Sequence, residues 1–257
     1  MQRPFLTTEW RHLAMLNWEV DPGVLLPLVP AGTELDRHAG RCLISVVGLR
    51  FFDTRVRGRR IPFHADFDEV NLRFYVRRQV GDEVRRAVVF VRELVPLPAV
   101  AFTARLVYGE RYSALPMRSR LGPDEAEYRW RLRGRWQGLR ADAEGPAGLP
   151  AEGSEEEFVT EHYWGYASGR RGTLEYRVEH PRWPVRRAGR AELDCDAERL
   201  YGPGFAAALD GPPESAFLAA GSAVSVYPGG LLTRDPVSRE GGRSRPGGPG
   251  RPGPPRP

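Results

Sequence analysis

The chain has 257 residues, a formal net charge of +5 and a pI near 9.5, and all 38 of its basic residues are Arg. Without a Lys it has no side-chain amine for Schiff-base chemistry and no Walker-type phosphate loop, which needs its Lys. Arg in place of Lys is what a GC-rich genome's codons produce.

The charge is uneven. From Arg234 to Pro257 there are six Arg and two acids, so the tail holds +4 of the chain's +5 and the remainder is close to neutral. The high pI is therefore no argument for a nucleic-acid-binding domain. Residues 236–257 contain 7 Pro and 6 Gly, with Val237 as the only large apolar residue. Such a segment cannot bury enough surface to offset its ordering entropy. The expected organisation is one domain over residues 1–232 and a disordered Pro/Gly/Arg-rich tail over 233–257. Hydrophobic content of 41% supports a sizeable core. Cys42 and Cys195 are too few for a disulfide framework and form no metal spacing. No metal or cofactor is expected. The first ten residues lack an apolar h-region, and no 18-residue apolar run occurs. The expectation is a soluble cytoplasmic protein with neither a membrane nor a specific nucleic-acid partner, and nothing in the sequence indicates an oligomer.

In chain order, Leu13–Val20 reads as a first strand. Asp21 to Pro30 reads as a short helix, with Asp21 at the N-cap, Pro22 at the first helical position and prolines closing it. Arg41–Phe52 is a long apolar strand. Over Glu69–Val76, apolar Val70, Leu72, Phe74 and Val76 alternate with Glu69, Asn71, Arg73 and Tyr75. A turn at Val80–Glu83 leads into an apolar strand over Arg86–Val95, giving a hairpin. Pro96 and Pro98 break the ladder, and Ala99–Tyr108 reads as a short helix. Arg111–Ser119 and Tyr128–Leu139 read as a strand pair, and Asp142–Glu157 as a loop. Phe158–Tyr166 reads as extended, and Thr173–Glu179 and Pro184–Asp194 as strands. Glu198–Leu209 and Glu214–Ala220 read as short helices, and Ser222–Pro228 as a last strand. Many strands and few short helices predict a β-rich body, all-β to α+β.

Four strings then resemble one family. They are Phe67–Val76 (FDEVNLRFYV), Val89–Pro96 (VFVRELVP), Glu161–Tyr166 (EHYWGY) and Glu175–Trp183 (EYRVEHPRW). Their order and spacing are similar to the YqjF-like proteins, a family of unknown function, from about Trp10 to about Leu232. That family is similar to acetoacetate decarboxylase, which implies a β-cone or barrel with a central cavity and a few short helices. Asp21–Asp36 resembles a strand–helix–strand segment of that enzyme. Arg92-Glu93-Leu94 resembles the Arg-Glu-Leu before its lysine pair. The resemblance implies that Ala99, after Pro98, stands where the Schiff-base lysine would be, with Val100 in place of its neighbour. It also puts an active-site arginine on Arg11 and a cavity glutamate on Leu43. It implies the fold and argues against the decarboxylase reaction.

The Glu69/Asn71/Arg73/Tyr75 face is the foremost site candidate. If it points inward, Glu69 and Arg73 must pair or bind something, because an isolated buried charge costs several kcal/mol. If outward, the charges are merely solvated. Glu93 interrupts an apolar strand and is expected on the face of Val91 and Val95, paired with Arg11 or Arg73. His64, His162 and His180 have no metal-binding spacing. Tyr163, Trp164, Tyr166, Tyr176 and Trp183 form core packing or an apolar pocket wall. Three functions remain open. The first is a small organic, acid-like ligand held by Arg11, Glu69, Asn71, Arg73, Tyr75, Glu93, His162 and Trp164. The second is an enzyme using Glu69 or Glu93 as acid–base. The third is a structural protein whose cavity is filled.

Overall fold

The computed structural model describes residues 2–102 and 111–232. The expected tail and the second half of the helix expected over Ala99–Tyr108 lie outside the described residues. The first half forms a helical turn, α2 (98–102).

One sheet organises the molecule. Its strands are β1 (Leu6–Glu19), β2 (Glu34–Leu35), β3 (Leu43–Val56), β4 (Arg59–Arg60), β5 (Phe67–Val80), β6 (Glu83–Val95), β7 (Tyr112–Ala114), β8 (Met117–Leu121), β9 (Glu125–Leu132), β10 (Arg135–Gly148), β11 (Trp164–Gly169), β12 (Gly172–Glu179), β13 (Val185–Asp194), β14 (Ser215–Val226) and β15 (Gly230–Leu231). The path β12-β11-β6-β5-β3-β1-β14 closes into a ring because β14 also pairs with β12, through Val178↔Val226 and Glu179↔Ser225. From β14 the sheet continues through β13, β10, β9 and β8. That extension packs against the outside of the ring. Trp130 and Tyr128 of β9 are fully buried there against Ile44, Val46, Leu72 and Phe74. A second core, with Met15, Leu49, Phe67, Tyr176 and Phe217, lies inside the ring.

Local chemistry places the helices. α1 (Pro22–Leu25) is capped as its sequence predicts: Gly23 N–H donates to Asp21 Oδ1 at 2.7 Å, and Pro22 opens it. Ser154 caps α3 (Glu155–Thr160), a helix inside the segment read as loop and extended chain. α4 (Ala197–Tyr201) and α5 (Pro203–Ala208) together match the helical piece expected over Glu198–Leu209.

Several expectations are corrected. Tyr128–Leu139 is two strands, with a tight turn at Arg133-Gly134 in positive φ between them. β8 rather than the whole of Arg111–Ser119 pairs with β9, while β7 runs parallel to β6. Asp142–Gly148 continues β10, because β13 supplies its hydrogen bonds. Of the helix expected over Glu214–Ala220, all but Glu214 belongs to β14, because β1 pairs with that strand along its length.

The ring strands β1, β3, β6 and β14 each break the period-two alternation of side chains once. In β1 the break is at His12 (φ 52), so Leu6 and Trp10 face inward before it and Leu13 and Met15 after it. In β3 it is at Asp53 (φ 47), which puts Phe51, then Thr54 and Val56, inside. In β14 it is at Gly221 (φ 82), between inward Ala219 and inward Val224. In β6 the register against β5 shifts between Leu72 and Arg73, so Val88 and Phe90, then Glu93 and Val95, face inward. The breaks in β1, β3 and β6 are β-bulges, each adding a residue and reversing the facing of the strand beyond it, whereas β14 keeps its register with β1 and reverses its facing at the positive-φ Gly221, the partner of Arg11.

Candidate functional site

The ring encloses a cavity of about 390 Å³. β5 carries no bulge, and its polar residues face this interior. Both faces of β5 are buried, one in each core, so Val70, Leu72, Phe74 and Val76 lie outside the ring and Phe67, Glu69 and Arg73 line the cavity.

Glu69 is 3% exposed. Asn71 Nδ2 donates to its Oε1 at 3.0 Å, and the Tyr112 hydroxyl donates to its Oε2 at 3.1 Å. Burial pushes this carboxyl up to about 7, although Asn71, Tyr112 and the Arg73 charge pull it down. Near neutral pH Glu69 is therefore divided between acid and carboxylate, the condition for a general acid–base group.

Arg73 Nη2 donates to Val159 O at 3.0 Å, and its buried Nε has no hydrogen-bond partner. Among the described residues it has no carboxylate within 4.0 Å, unlike most of the described arginines. Its guanidinium carbon lies 5.7 Å from the Tyr75 ring centroid. Tyr75 does not line the cavity itself. Its hydroxyl shares a 2.5 Å hydrogen bond with Ser45, and its ring packs 4.7 Å from that of His162. Asn71 likewise acts on the cavity through Glu69. Both are supports for lining residues.

His162 is buried in the cavity wall between α3 and β11, with neither ring nitrogen hydrogen-bonded. Its Nε2 is 3.6 Å from Asp36 Oδ2, beyond hydrogen-bond length, and that oxygen accepts a 2.7 Å bond from Arg86 Nε. Burial drives His162 down to about 4, against the pull of Asp36. Burial would raise Asp36, but His162 and Arg86 hold its carboxyl below the usual range. At neutral pH His162 is thus an uncharged ring.

Glu93 is 1% exposed and lines the cavity opposite Asn71. The expected partnership with Arg11 or Arg73 is not made: neither stands within ion-pair distance of it. Nor does Glu93 share a face with Val91, because the β6 bulge turns Val91 into the outer core. Trp164 lines the cavity with Arg85 4.1 Å above its ring centroid.

Arg11 lies outside the site. Simple alternation would group it with Leu13 and Met15, but the His12 bulge reverses that. Its guanidinium instead bonds Glu9 Oε2 at 2.7 and 2.9 Å and Gly221 O at 3.3 Å. Leu43 is a buried apolar residue of the inner core.

Of the aromatic group, Trp164, Tyr176 and Trp183 line the cavity, whereas Tyr166 lies in the outer core and donates a 2.6 Å bond to Glu175. His180 also lines it, stacked on Trp183 with centroids 4.0 Å apart, and burial lowers its pKa. His64 joins from the β4–β5 connection. Ala99 and Val100 of α2 line the same space. Sequence reasoning missed Tyr112, Asp36 and Arg86. Tyr112 sits on a three-residue strand too short to show a pattern, and the Asp36–Arg86 contact joins distant segments. Among the described residues no group of three His, Cys, Asp or Glu side chains is arranged to hold a metal. No helix among them is long and apolar enough to cross a membrane.

Solved structures share this architecture. The acetoacetate decarboxylase of Legionella pneumophila aligns over 90% of this chain and 88% of its own, with a TM-score of 0.63 at 12% identity. The enduracididine biosynthesis enzyme MppR, solved with pyruvate, aligns over 91% and 92%, with a TM-score of 0.63 at 12% identity. An acetoacetate decarboxylase-like enzyme from Sphingomonas wittichii aligns over 89% and 94%, with a TM-score of 0.61 at 12% identity. At such identity the likeness is one of fold. No curated protein matches the chain in sequence. The model of the DUF2071 family, an uncharacterized conserved protein, matches residues 7–223. The chain belongs to that family, and its β-rich ring with few helices is an acetoacetate-decarboxylase-like fold.

Proposed function

We propose that the protein binds a small organic anion in the ring cavity, with Arg73 as its cationic anchor. The observation that carries this reading is a half-buried guanidinium at a cavity wall with no carboxylate partner among the described residues. An incoming carboxylate would supply the missing charge and accept from Nε. Glu69, protonated for part of the time at neutral pH, tolerates an anion beside it and can donate a hydrogen bond to it. A fold relative solved with pyruvate, itself a small carboxylate, agrees with this class of ligand. Ala99 in the lining fits a chain that keeps such a cavity without Schiff-base chemistry. In this reading the protein works in the cytoplasm as one domain with an appended tail, and needs no cofactor.

The test is a thermal-shift and calorimetric screen of carboxylic acids, beginning with pyruvate. A ligand at 100 times its Kd should stabilise the fold by about 2.7 kcal/mol. Arg73→Gln should abolish each hit and Arg11→Ala should leave it intact. Hits indifferent to Arg73→Gln would overturn the reading.

A second reading is favoured by one observation, the raised pKa of Glu69 in the same cavity lining as an uncharged His162. Two titratable groups pushed apart in this way are what an acid–base enzyme needs. Such an enzyme would exchange the carbon-bound protons of a bound keto acid with solvent deuterium, and Glu69→Gln would stop the exchange.

A further inference from the structure

We propose that the ligand is an amphipathic monocarboxylate with an apolar body of medium chain length. This rests on Arg73 as the anion site and adds what lies beyond the headgroup.

The cavity is elongated and divided in polarity. On β5 its wall runs from Phe67 to Arg73, about 20 Å of strand. The carboxylates and the guanidinium gather toward one end, Glu69 and Arg73 with Tyr112 on Glu69 and Glu93 opposite Asn71, while the polar members of the rest of the lining are uncharged or weakly basic, Thr54, His64 and His180 among them. Ser45, near the start of β3, is the partner of Arg73. Val56, the last residue of that strand, is the partner of Leu6, which also pairs with Val226. Leu6, Val56 and Val226 all line the cavity, so its far end is aliphatic, with Phe51, Trp10 and Trp183 between. A short keto acid on Arg73 would leave this wall unfilled. A volume of about 390 Å³ lies in the range that encloses much larger ligands.

The charge pattern sets the number of headgroups. Among the described residues Arg73 is the only guanidinium in the lining, so a single headgroup finds a cationic partner there. The apolar theme reaches the surface. Ile61, in the lining, is followed by Pro62 and by Phe63, which is 94% exposed and held at φ 62. An aromatic residue in the left-handed region, facing water beside the cavity, is a costly arrangement that serves an apolar entrance.

The test uses the full chain and the tryptophans already in the wall. Acetate, hexanoate, octanoate and decanoate are titrated below their aggregation limits, with decanol as the uncharged control, while tryptophan fluorescence and heat are recorded. The expected result is affinity rising about fourfold per added methylene, which corresponds to about 0.8 kcal/mol. Decanoate should exceed decanol at least tenfold, and Arg73→Gln should remove that excess. Val56→Phe should weaken decanoate more than hexanoate, and Val226→Phe gives the same test should that variant fail to fold. Affinity that is flat from acetate to decanoate, with Arg73→Gln still abolishing it, would overturn the apolar body and leave the anion site standing. Decanol bound as tightly as decanoate, with Arg73→Gln without effect, would overturn the anion site. No binding of any of the five would overturn both.

Discussion

Asn71 Nδ2 donates a 3.0 Å hydrogen bond to Glu69 Oε1, and both side chains leave the same face of β5. The bond is possible because the i, i+2 spacing of an unbroken strand brings them together. Tyr112 completes the clamp from β7. The carboxyl is thus fixed in position while burial keeps it near the point of protonation.

Stability should depend on pH through two opposing groups. Glu69 is raised from 4.5 to about 7 by burial, so its contribution is full below pH 4.5 and is lost as pH rises through 7. His162 is lowered from 6.5 to about 4, so its contribution is full above pH 6.5 and is lost as pH falls through 4. Each is worth on the order of 3 kcal/mol, and between pH 4.5 and 6.5 they offset one another. In urea titrations Glu69→Gln should unmask a loss of stability toward acid, and His162→Gln a loss toward neutral pH. Variant curves parallel to that of the parent would contradict this.

Gly221→Ala should destabilise the fold by ~3 kcal/mol or more. Gly221 has φ 82, and a Cβ there would stand 1.9 Å from Trp10 O. Its bare Cα leaves room for Trp10 O beside the His12 bulge, which lets Trp10 and Leu13 both face inward. Chemical denaturation measures the loss, and near-ultraviolet circular dichroism should show a changed environment for the wall tryptophans.

Glu175→Gln should cost ~2 kcal/mol. This mostly buried carboxylate accepts from Arg85 at 2.7 Å, Arg78 at 3.3 Å and Tyr166 at 2.6 Å. A neutral amide leaves both guanidiniums short of charge and loosens Arg85, which covers Trp164. A blue or red shift of tryptophan emission should accompany the loss of stability.

Both cysteines should resist thiol reagents in the native state. Burial raises Cys42, and burial with Asp194 and Asp196 pushes Cys195 up to about 12. Reaction with an aromatic disulfide at pH 8 should be at least 100-fold slower than in urea, since the thiolate is the reactive form. Rapid labelling of the folded chain would refute this.

Wherever a signal was local, the sequence contained it. The Asp21 cap, the β5–β6 hairpin and the β5 alternation came from side-chain chemistry and period alone. The polar face of β5 was legible as a set, and so was the need for its charges to be answered if buried. Period-two reasoning could not supply the direction in which the chain faces after an interruption. It grouped Glu93 with Val91, while the family resemblance put Arg11 in the site, and both assignments fail at bulges.

The reason is physical. A bulge is fixed by partners remote in sequence. The Tyr128 hydroxyl donates to His12 O at 2.8 Å, Asp53 N–H donates to Asp66 Oδ1 at 2.8 Å, and Gly221 admits Trp10 O. Strands such as β10 and β14 also owed their state to cross-strand hydrogen bonds rather than propensity. By itself the sequence determined a β-rich chain without an amine nucleophile and the residue types available to a site. Only the closed ring decided that Glu69, Arg73, Glu93 and His162 meet around one cavity and that Arg11 stays out, because facing in a bulged strand is set by its neighbours across the sheet.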